Sequence, residues 1–455
     1  MAPPTIMSTA QRFAWLDGLS TVAVCGAAIA VVPPADPAEL PAGPWGLAGR
    51  IAVVAFVCLV AFYYNDLYNF EVPHDVGQLF RRLCRALGLS ALALAGGYLL
   101  FPGMVLGGNL ASTALLLTLV SVLALRVGVY ALAKRAPFSE RVLILGGGPL
   151  AAELAGHIRT RPELPLRLVG VLGPSAGSGT PRLGDYGDLA DALRRYRPDR
   201  IVVAMPDRRG NLPVADLLAC RFRRIEVEEG TRVFERLTGR LAVESLAPSA
   251  LIFGDGFRGR RLPLVLMRVL SVGIALATLV VGAPLIAAIV LAVRLESRGP
   301  AFFIQERVGL HGRRFRLVKF RTMRESAGDA DSVWGRDNAS RVTRLGALLR
   351  RYRLDELPQC FNILRGDMNL VGPRPEMAAN VATFEGVIPF YNLRHEVRPG
   401  LTGWAQVKAG YSMSTEEVTR KLCYDLYYIK HMSPAFDLRI LVDTVKFVLS
   451  GTRPG

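Results

Sequence analysis

Cysteine is scarce in this chain. Six occur in 455 residues, at Cys25, Cys58, Cys84, Cys220, Cys360 and Cys423, with no C-x-x-C and no close pair. That excludes a disulfide framework or a zinc module and fits a reducing compartment. Histidine is equally sparse, five in all, with no H-E-x-x-H or other paired spacing. Acid is in deficit: 38 Asp+Glu face 55 Lys+Arg, a formal +17. What is abundant is apolar side chain, 51% of the residues, with a mean hydropathy of +0.30. Such a composition excludes a disordered chain and disfavours a purely soluble enzyme, whose surface needs polar cover. A basic excess suits nucleic acid only with a recognition module to carry it, and none is evident. A membrane protein with a basic cytoplasmic face is the better reading.

The apolar excess is concentrated at the start. Trp15–Val32, Ile51–Tyr64 with the preceding 45–49, Ala86–Met104 and Leu110–Ala133 are four runs near the roughly 20 residues that span a bilayer. Loop 33–49 holds Asp36 and Glu39 and no cation; loop 65–85 carries Arg81, Arg82 and Arg85; Lys134, Arg135 and Arg141 follow the fourth run. This alternation predicts four transmembrane helices with both ends cytoplasmic. A fifth run, Val269–Val293, has Arg258, Arg260, Arg261 and Arg268 before it and Arg294, Arg298 and Arg307 after it. Basic flanks on both sides argue against a full crossing, and Pro284 removes a helix hydrogen bond inside the run. A re-entrant helix over about 265–293, bending near Pro284, satisfies both facts.

Residues 137–257 change character. Strands at 141–145, 166–172 and 200–204 alternate with helices at 149–159 and 189–196, a pattern for a doubly wound, Rossmann-like domain. Gly146-Gly-Gly148-Pro-Leu-Ala151 fits a loose G-x-G-x-x-A nucleotide turn built on Gly146 and Gly148. The acid expected after the second strand is missing, because Gly173-Pro174 follows Leu172. A structural or regulatory domain is therefore expected rather than nicotinamide chemistry.

From Arg294 onward there are 26 basic and 17 acidic residues, about half of the net charge. Asp355 and Glu356 are adjacent carboxylates preceded by Arg350, Arg351 and Arg353, in an apolar L-x-x-L-P frame. Mg²⁺ takes one or two carboxylates plus substrate phosphates, and a carboxylate can serve as nucleophile, so this grouping suits pyrophosphate chemistry. Arg374 stands between Pro373 and Pro375, whose fixed φ angles restrict the guanidinium in a way that suits a phosphate clamp. Asp329-Ala-Asp331 imitates a D-x-D metal motif but lies in a small charged loop, not after an apolar strand.

Four motifs in order, K-F-R-T-M at 319–323, L-D-E-L-P-Q at 354–359, G-D-M-N-L-V-G-P-R-P at 366–375 and R-P-G-L-T-G-W-A-Q at 398–406, make residues 261–449 resemble the bacterial sugar transferases. These are polyprenyl-phosphate hexose-1-phosphate transferases, or monotopic-type phosphoglycosyl transferases. With four spans and a Rossmann-like domain in front, the chain resembles the long-form members. The runs at 390–395 and 424–430 resemble members that serve exopolysaccharide systems.

The resemblance implies a membrane α+β architecture in three parts: a four-helix transmembrane domain over 1–136, a Rossmann-like domain over 137–257, and a mainly helical catalytic domain over 258–455 anchored by the re-entrant helix. It implies transfer of hexose-1-phosphate from a UDP-sugar to undecaprenyl phosphate with release of UMP. Asp355 would be the nucleophile, Glu356 and Asp355 would hold Mg²⁺, and Lys319, Arg321, Arg350 and Arg374 would bind phosphate. Glu306, Arg307, Pro373 and Pro375 would line the site. A multi-pass protein of the bacterial inner membrane, its catalytic domain cytoplasmic, acting as a homodimer without nucleic acid, is implied as well. Two departures stand out: Arg353 replaces a small hydroxyl that many relatives carry, and Asp337-Asn-Ala-Ser-Arg341 deviates from a short D-x-R pattern. The rival readings are a nucleotide-dependent oxidoreductase or epimerase centred on the middle domain, and a non-catalytic assembly scaffold.

Overall fold

The computed structural model describes residues 17–24, 47–65, 76–101, 108–133, 139–161, 166–174, 179–209, 211–245, 261–324, 341–409 and 414–450, with a few single positions between. The expected motifs at Asp329-Ala-Asp331 and Asp337 lie outside them. The chain divides into two compact units, residues 1–228 and 229–455.

In the first unit, helix α1 (17–24), α2 (Leu47–Tyr64), α3 (Val76–Leu100) and α4 (Gly108–Ala133) precede the α/β part. Val54, Cys58 and Phe62 of α2 interlock with Leu83, Ala86 and Leu94 of α3 and with Ala114 and Val122 of α4. Four spanning helices were expected here. Among the described residues, one helix of this group is long and apolar enough to cross a membrane, Leu79–Leu100; Ala48–Tyr64 and Thr113–Leu125 are shorter apolar helices. The first expected span is described only over 17–24.

The α/β part runs β1 (Glu140–Leu145), α5 (Pro149–Thr160), β2 (Leu166–Leu172), β3 (Arg182–Gly184), α6 (Leu189–Tyr196), β4 (Arg200–Val203), α7 (Val214–Phe222) and β5 (Glu226–Glu229). The sheet order is β3-β2-β1-β4-β5, with β1 parallel to both β2 and β4. Val142–Leu145 are buried without interruption, as a parallel strand covered on both faces requires. Arg200 ties three strands together at one end, ion-paired to Glu140 (2.8 Å), Glu226 (2.7 Å) and Glu228.

The second unit opens with α8 (Gly230–Thr238), then α9 (Arg261–Glu296), the antiparallel hairpin β6 (Phe302–Val308) and β7 (Arg314–Phe320), α10 (Arg344–Arg351), a single 3₁₀ turn at Leu354–Glu356, and α11 (Gln359–Arg365). β8 (Asn369–Val371), α12 (Ala378–Val387), a 3₁₀ segment at Tyr391–Glu396, β9 (Gly400–Thr402), α13 (Trp404–Lys408), α14 (Thr415–His431) and α15 (Pro434–Ser450) complete it. The division between the two units falls at 228/229. Glu235 of α8 is nearly buried between Lys430 (2.7 Å) and His431 (2.6 Å) of α14, and the Trp404 indole donates to the Gly239 carbonyl (2.8 Å). These long-range bonds bind α8 to the C-terminal unit.

Helix α9 is helical on both sides of Pro284. Met267, Ser271, Ala275, Ile289 and Val293 are buried along one stripe at helical spacing. Met267 packs in the core with Val371 and Tyr391; Ala275 packs with Leu317 and Ile363; Ile289 and Val293 pack with Phe320 and Leu349. Val269, Leu276, Val280, Val281, Leu285 and Leu291 are apolar and exposed, and between residues 276 and 288 the helix is buried on no face. Both ends of the helix therefore rest on the same unit.

Candidate active site

The dyad is placed by its leucine frame. Leu354 and Leu357 pack toward Ile289, Val293, Phe320 and Leu349. Both leucines are half-buried against this cluster, and Asp355 and Glu356 lie between them in the one tight turn, Glu356 buried. Helix α10 delivers the chain to this turn. Its N-terminus is capped by Thr343, whose hydroxyl accepts from the Gly346 amide (2.9 Å).

Three cations meet at one oxygen of Glu356. Arg374 donates to Oε1 at 3.0 Å, Arg353 Nη1 lies at 3.5 Å and Lys319 Nζ at 3.8 Å. Burial works against the Glu356 charge, but Arg374, Lys319 and Arg353 outweigh it and hold its pKa at about 2. For Lys319, burial and the neighbouring Arg374 lower the ammonium pKa to about 8, against the pull of Glu356 and Asp355. Asp355 responds oppositely to its neighbour: burial, then the Glu356 charge, push its carboxyl up, against Lys319, Arg350 and Arg353. Its Oδ1 is buried and accepts no hydrogen bond among the described residues.

The clamp around Arg374 is built from the backbone outward. β8 and β9 pair in parallel, Gly372 donates to the Thr402 carbonyl (2.9 Å) and Gly400 donates to that of Pro373 (2.9 Å). The strands approach so closely that a Cβ on Gly400 would lie 2.1 Å from the Gly372 nitrogen, which accounts for the glycine in R-P-G-L-T-G. Arg394 Nη2 donates to the Arg374 carbonyl (2.9 Å), and its Nη1 donates to the Tyr391 hydroxyl (2.8 Å). The same guanidinium pairs with Asp425 of α14 at 2.8 Å, both side chains buried. Burial opposes the Arg394 charge, and Asp425, Tyr391 and Glu376 more than restore it.

The expected site residues divide. Asp355, Glu356, Lys319 and Arg374 come together. Arg350 is close enough to act on Asp355 electrostatically, and its Nε donates to the Thr322 hydroxyl (2.8 Å). Arg307 lies against the Arg374 loop, donating to the Pro375 carbonyl (3.3 Å) beside Glu376 (3.7 Å). Pro373 and Pro375 thus serve through their carbonyls as well as their rings. Arg321 does not join: its guanidinium donates to the Ser297 and Arg298 carbonyls (2.7 and 2.8 Å), closing the chain just after α9. Glu306 points away from Arg307, as strand neighbours do, and pairs in the open with Arg314 (3.0 Å). Pro284 is an exposed residue of α9, away from these groups.

Gly146 and Gly148 belong to the first unit. Gly146 has φ +157°, and a Cβ there would lie 2.3 Å from the Ala204 carbonyl oxygen. Close packing of β1 on the end of β4 explains that glycine without a ligand.

Sequence reasoning gave no role to three participants, Arg394, Asp425 and Asn362. Arg353 was already grouped with the cations before the dyad, and stood out as a departure as well. Arg394 and Asp425 lay inside the F-Y-N-L-R-H and Y-D-L-Y-Y-I-K runs without a role. Asn362 joins β7 to α11, donating to the Arg316 carbonyl (2.7 Å) and accepting from the Val318 amide (3.1 Å), which fixes the strand next to Lys319. Among the described residues, no group of three or more His, Cys, Asp or Glu gathers to hold a metal. The dyad alone offers two carboxylates, the number Mg²⁺ uses when substrate phosphates supply the rest.

The bacterial sugar transferase profile matches residues 262–451, which contain every group of this site. The UDP-N-acetylgalactosamine-undecaprenyl-phosphate N-acetylgalactosaminephosphotransferase of Aeromonas hydrophila is 39% identical over 52% of this chain and 55% of its own. An undecaprenyl-phosphate glucose phosphotransferase of Komagataeibacter xylinus is 32% identical over 68% of this chain and 59% of its own. An exopolysaccharide production protein, PSS, of Rhizobium leguminosarum bv. phaseoli is 38% identical over 40% of this chain and 94% of its own. The matched region thus spans little more than half of the first two relatives and nearly all of the third.

Proposed function

Because the chain belongs to the bacterial sugar transferase family, we propose that it moves a hexose-1-phosphate from a UDP-sugar to undecaprenyl phosphate and so starts an exopolysaccharide repeat unit. The observation that supports this most directly is the unpaired, buried Oδ1 of Asp355 beside a Glu356 carboxylate held by three cations. One acid is fixed in its charged form; the other has an oxygen free to react.

The steps balance as follows. An Asp355 oxygen attacks the phosphorus that carries the sugar. The bond from that phosphorus to the bridging oxygen breaks, and UMP leaves with the electron pair. An oxygen of undecaprenyl phosphate then attacks the same phosphorus and expels the Asp355 carboxylate, leaving a diphosphate-linked sugar on the lipid. Lys319 and Arg374 form the positive side of the pocket, where charge develops on the phosphoryl oxygens. Mg²⁺, held by Asp355 and Glu356 together with the diphosphate, would supply further charge neutralisation.

The anchor fits a lipid acceptor. Helix α9 has an exposed apolar face and both its ends rest on the same unit, which supports a helix that enters and leaves the cytoplasmic leaflet of the inner membrane on one side. Undecaprenyl phosphate would reach the dyad from that leaflet and the UDP-sugar from the cytoplasm. The test is UMP release with Mg²⁺ across a panel of UDP-hexoses and UDP-N-acetylhexosamines, with and without undecaprenyl phosphate. Parent protein should release UMP with at least one sugar, and Asp355→Asn should release none even without acceptor. UMP release retained in Asp355→Asn would sink the nucleophile assignment.

A further inference from the structure

Arg353 occupies a backbone conformation that its residue type disfavours. It has φ +56° and ψ +18°, in the left-handed region, directly after α10 and directly before the turn that holds the dyad. Helices commonly end on such a residue, and the residue there is usually glycine or asparagine, because a Cβ clashes with the local backbone. The backbone bonds at this point, Arg353 amide to the Arg350 carbonyl and Glu356 amide to the Arg353 carbonyl, need no side chain. An arginine therefore adds nothing to the turn that glycine would not supply with less strain. Strain of this kind beside reactive groups points to a side chain that is itself required.

The guanidinium shows what for. Its contact with Glu356 Oε1, 3.5 Å, sits at the limit of a hydrogen bond, while Arg374 already holds that oxygen at 3.0 Å. Its other neighbour is the face of Phe447, 5.8 Å from the ring centroid. A guanidinium carries five donors, and these contacts leave most of them without a partner among the described residues. The side chain is also 37% exposed, more than Arg374 (32%) or Lys319 (19%), so it stands on the open side of the cluster. Three cations on one carboxylate oxygen leave positive charge that an incoming anion would balance.

We propose that Arg353 is a further substrate-contacting residue, binding the diphosphate of the sugar nucleotide, and that its left-handed backbone is what aims it there. This rests on the transferase reading above. The experiment uses the full chain in detergent or nanodiscs, comparing parent, Arg353→Gly and Arg353→Lys. Arg353→Gly should keep or raise Tm, because it relieves the left-handed strain, yet raise KM for the UDP-sugar about 10- to 100-fold, the worth of a charged hydrogen bond. Arg353→Lys should fall between the two, and added guanidinium should restore part of the Arg353→Gly activity. A separate arm measures the thermal shift produced by UDP alone, which needs no turnover. That shift should be smaller in Arg353→Gly than in the parent. Equal UDP shifts, or an unchanged KM with lowered Tm, would overturn the proposal. Absence of UMP release from the parent protein would instead strike the transferase reading and leave the UDP arm to decide on Arg353.

Discussion

At the scale of single residues, the site depends on one carboxylate staying charged. The folded pKa of Glu356, about 2, lies below the ordinary 4.5. Its stabilisation is therefore fully present above about pH 4.5 and fades as pH falls toward 2. Glu356→Gln leaves Lys319, Arg353 and Arg374 without their shared counter-charge, a loss of about 3–5 kcal/mol for a buried ionic group stripped of its partner. Thermal melts should show the deficit at pH 7 and a smaller one near pH 3; a deficit independent of pH would contradict this account. Lys319 sets the other limit. With its pKa lowered to about 8, it loses its proton as pH rises through that value, and UMP release should fall on the same limb. Lys319→Arg, if it retains activity, should extend the active range upward, because arginine stays charged; a limb unmoved in an active Lys319→Arg enzyme would exclude Lys319 as its source. Much of this was legible in the chain. The L-x-x-L frame around two acids and the proline-bracketed arginine named Asp355, Glu356 and Arg374 before any coordinates. Glu306 and Arg307 could have been separated as well, since strand neighbours face opposite ways. Arg321 could not, because nothing local tells that the Ser297 and Arg298 carbonyls will capture it.

At the scale of elements, Arg374 is held by parts of the chain far from it in sequence. The 3₁₀ segment at Tyr391–Glu396 supplies Arg394, α14 supplies Asp425, and together they fix the carbonyl of Arg374. Asp425→Asn removes one member of a buried ion pair and should cost about 3–5 kcal/mol. Since Arg394 also orients the Arg374 backbone, kcat should fall by more than the unfolded fraction explains, measured at a temperature where the variant remains folded. Replacing both Arg394 and Asp425 with apolar residues should recover stability but not activity. Recovery of both would reduce the pair to a structural role. The parallel strands and helices of the α/β part were readable from period and turn residues alone. The allegiance of α8 was not: its sequence continues the α/β pattern, and only the Glu235 bonds to Lys430 and His431 assign it to the other unit.

At the scale of the whole molecule, the decisive element is α9. Its 36 residues would reach about 54 Å if straight, far more than the roughly 30 Å hydrocarbon core of a bilayer. A crossing helix would leave its ends on opposite sides of the membrane. Yet Met267 near one end and Val293 near the other both pack into the unit that carries the dyad, and Arg268 donates to the Met368 carbonyl (2.7 Å) while Glu296 accepts from the Leu345 amide (3.0 Å). Because one polar unit cannot be on both sides at once, we propose that both ends belong to one face and that the exposed apolar middle meets lipid. The sequence already held half of this argument in the basic residues flanking both ends. Engineered thiols give the test: Leu262→Cys and Ser297→Cys in a background without native cysteines, probed with a membrane-impermeant reagent. Neither should label in intact spheroplasts, and both should label in inverted vesicles. One thiol labelled from each side would mean a full crossing and would overturn the one-sided placement of α9.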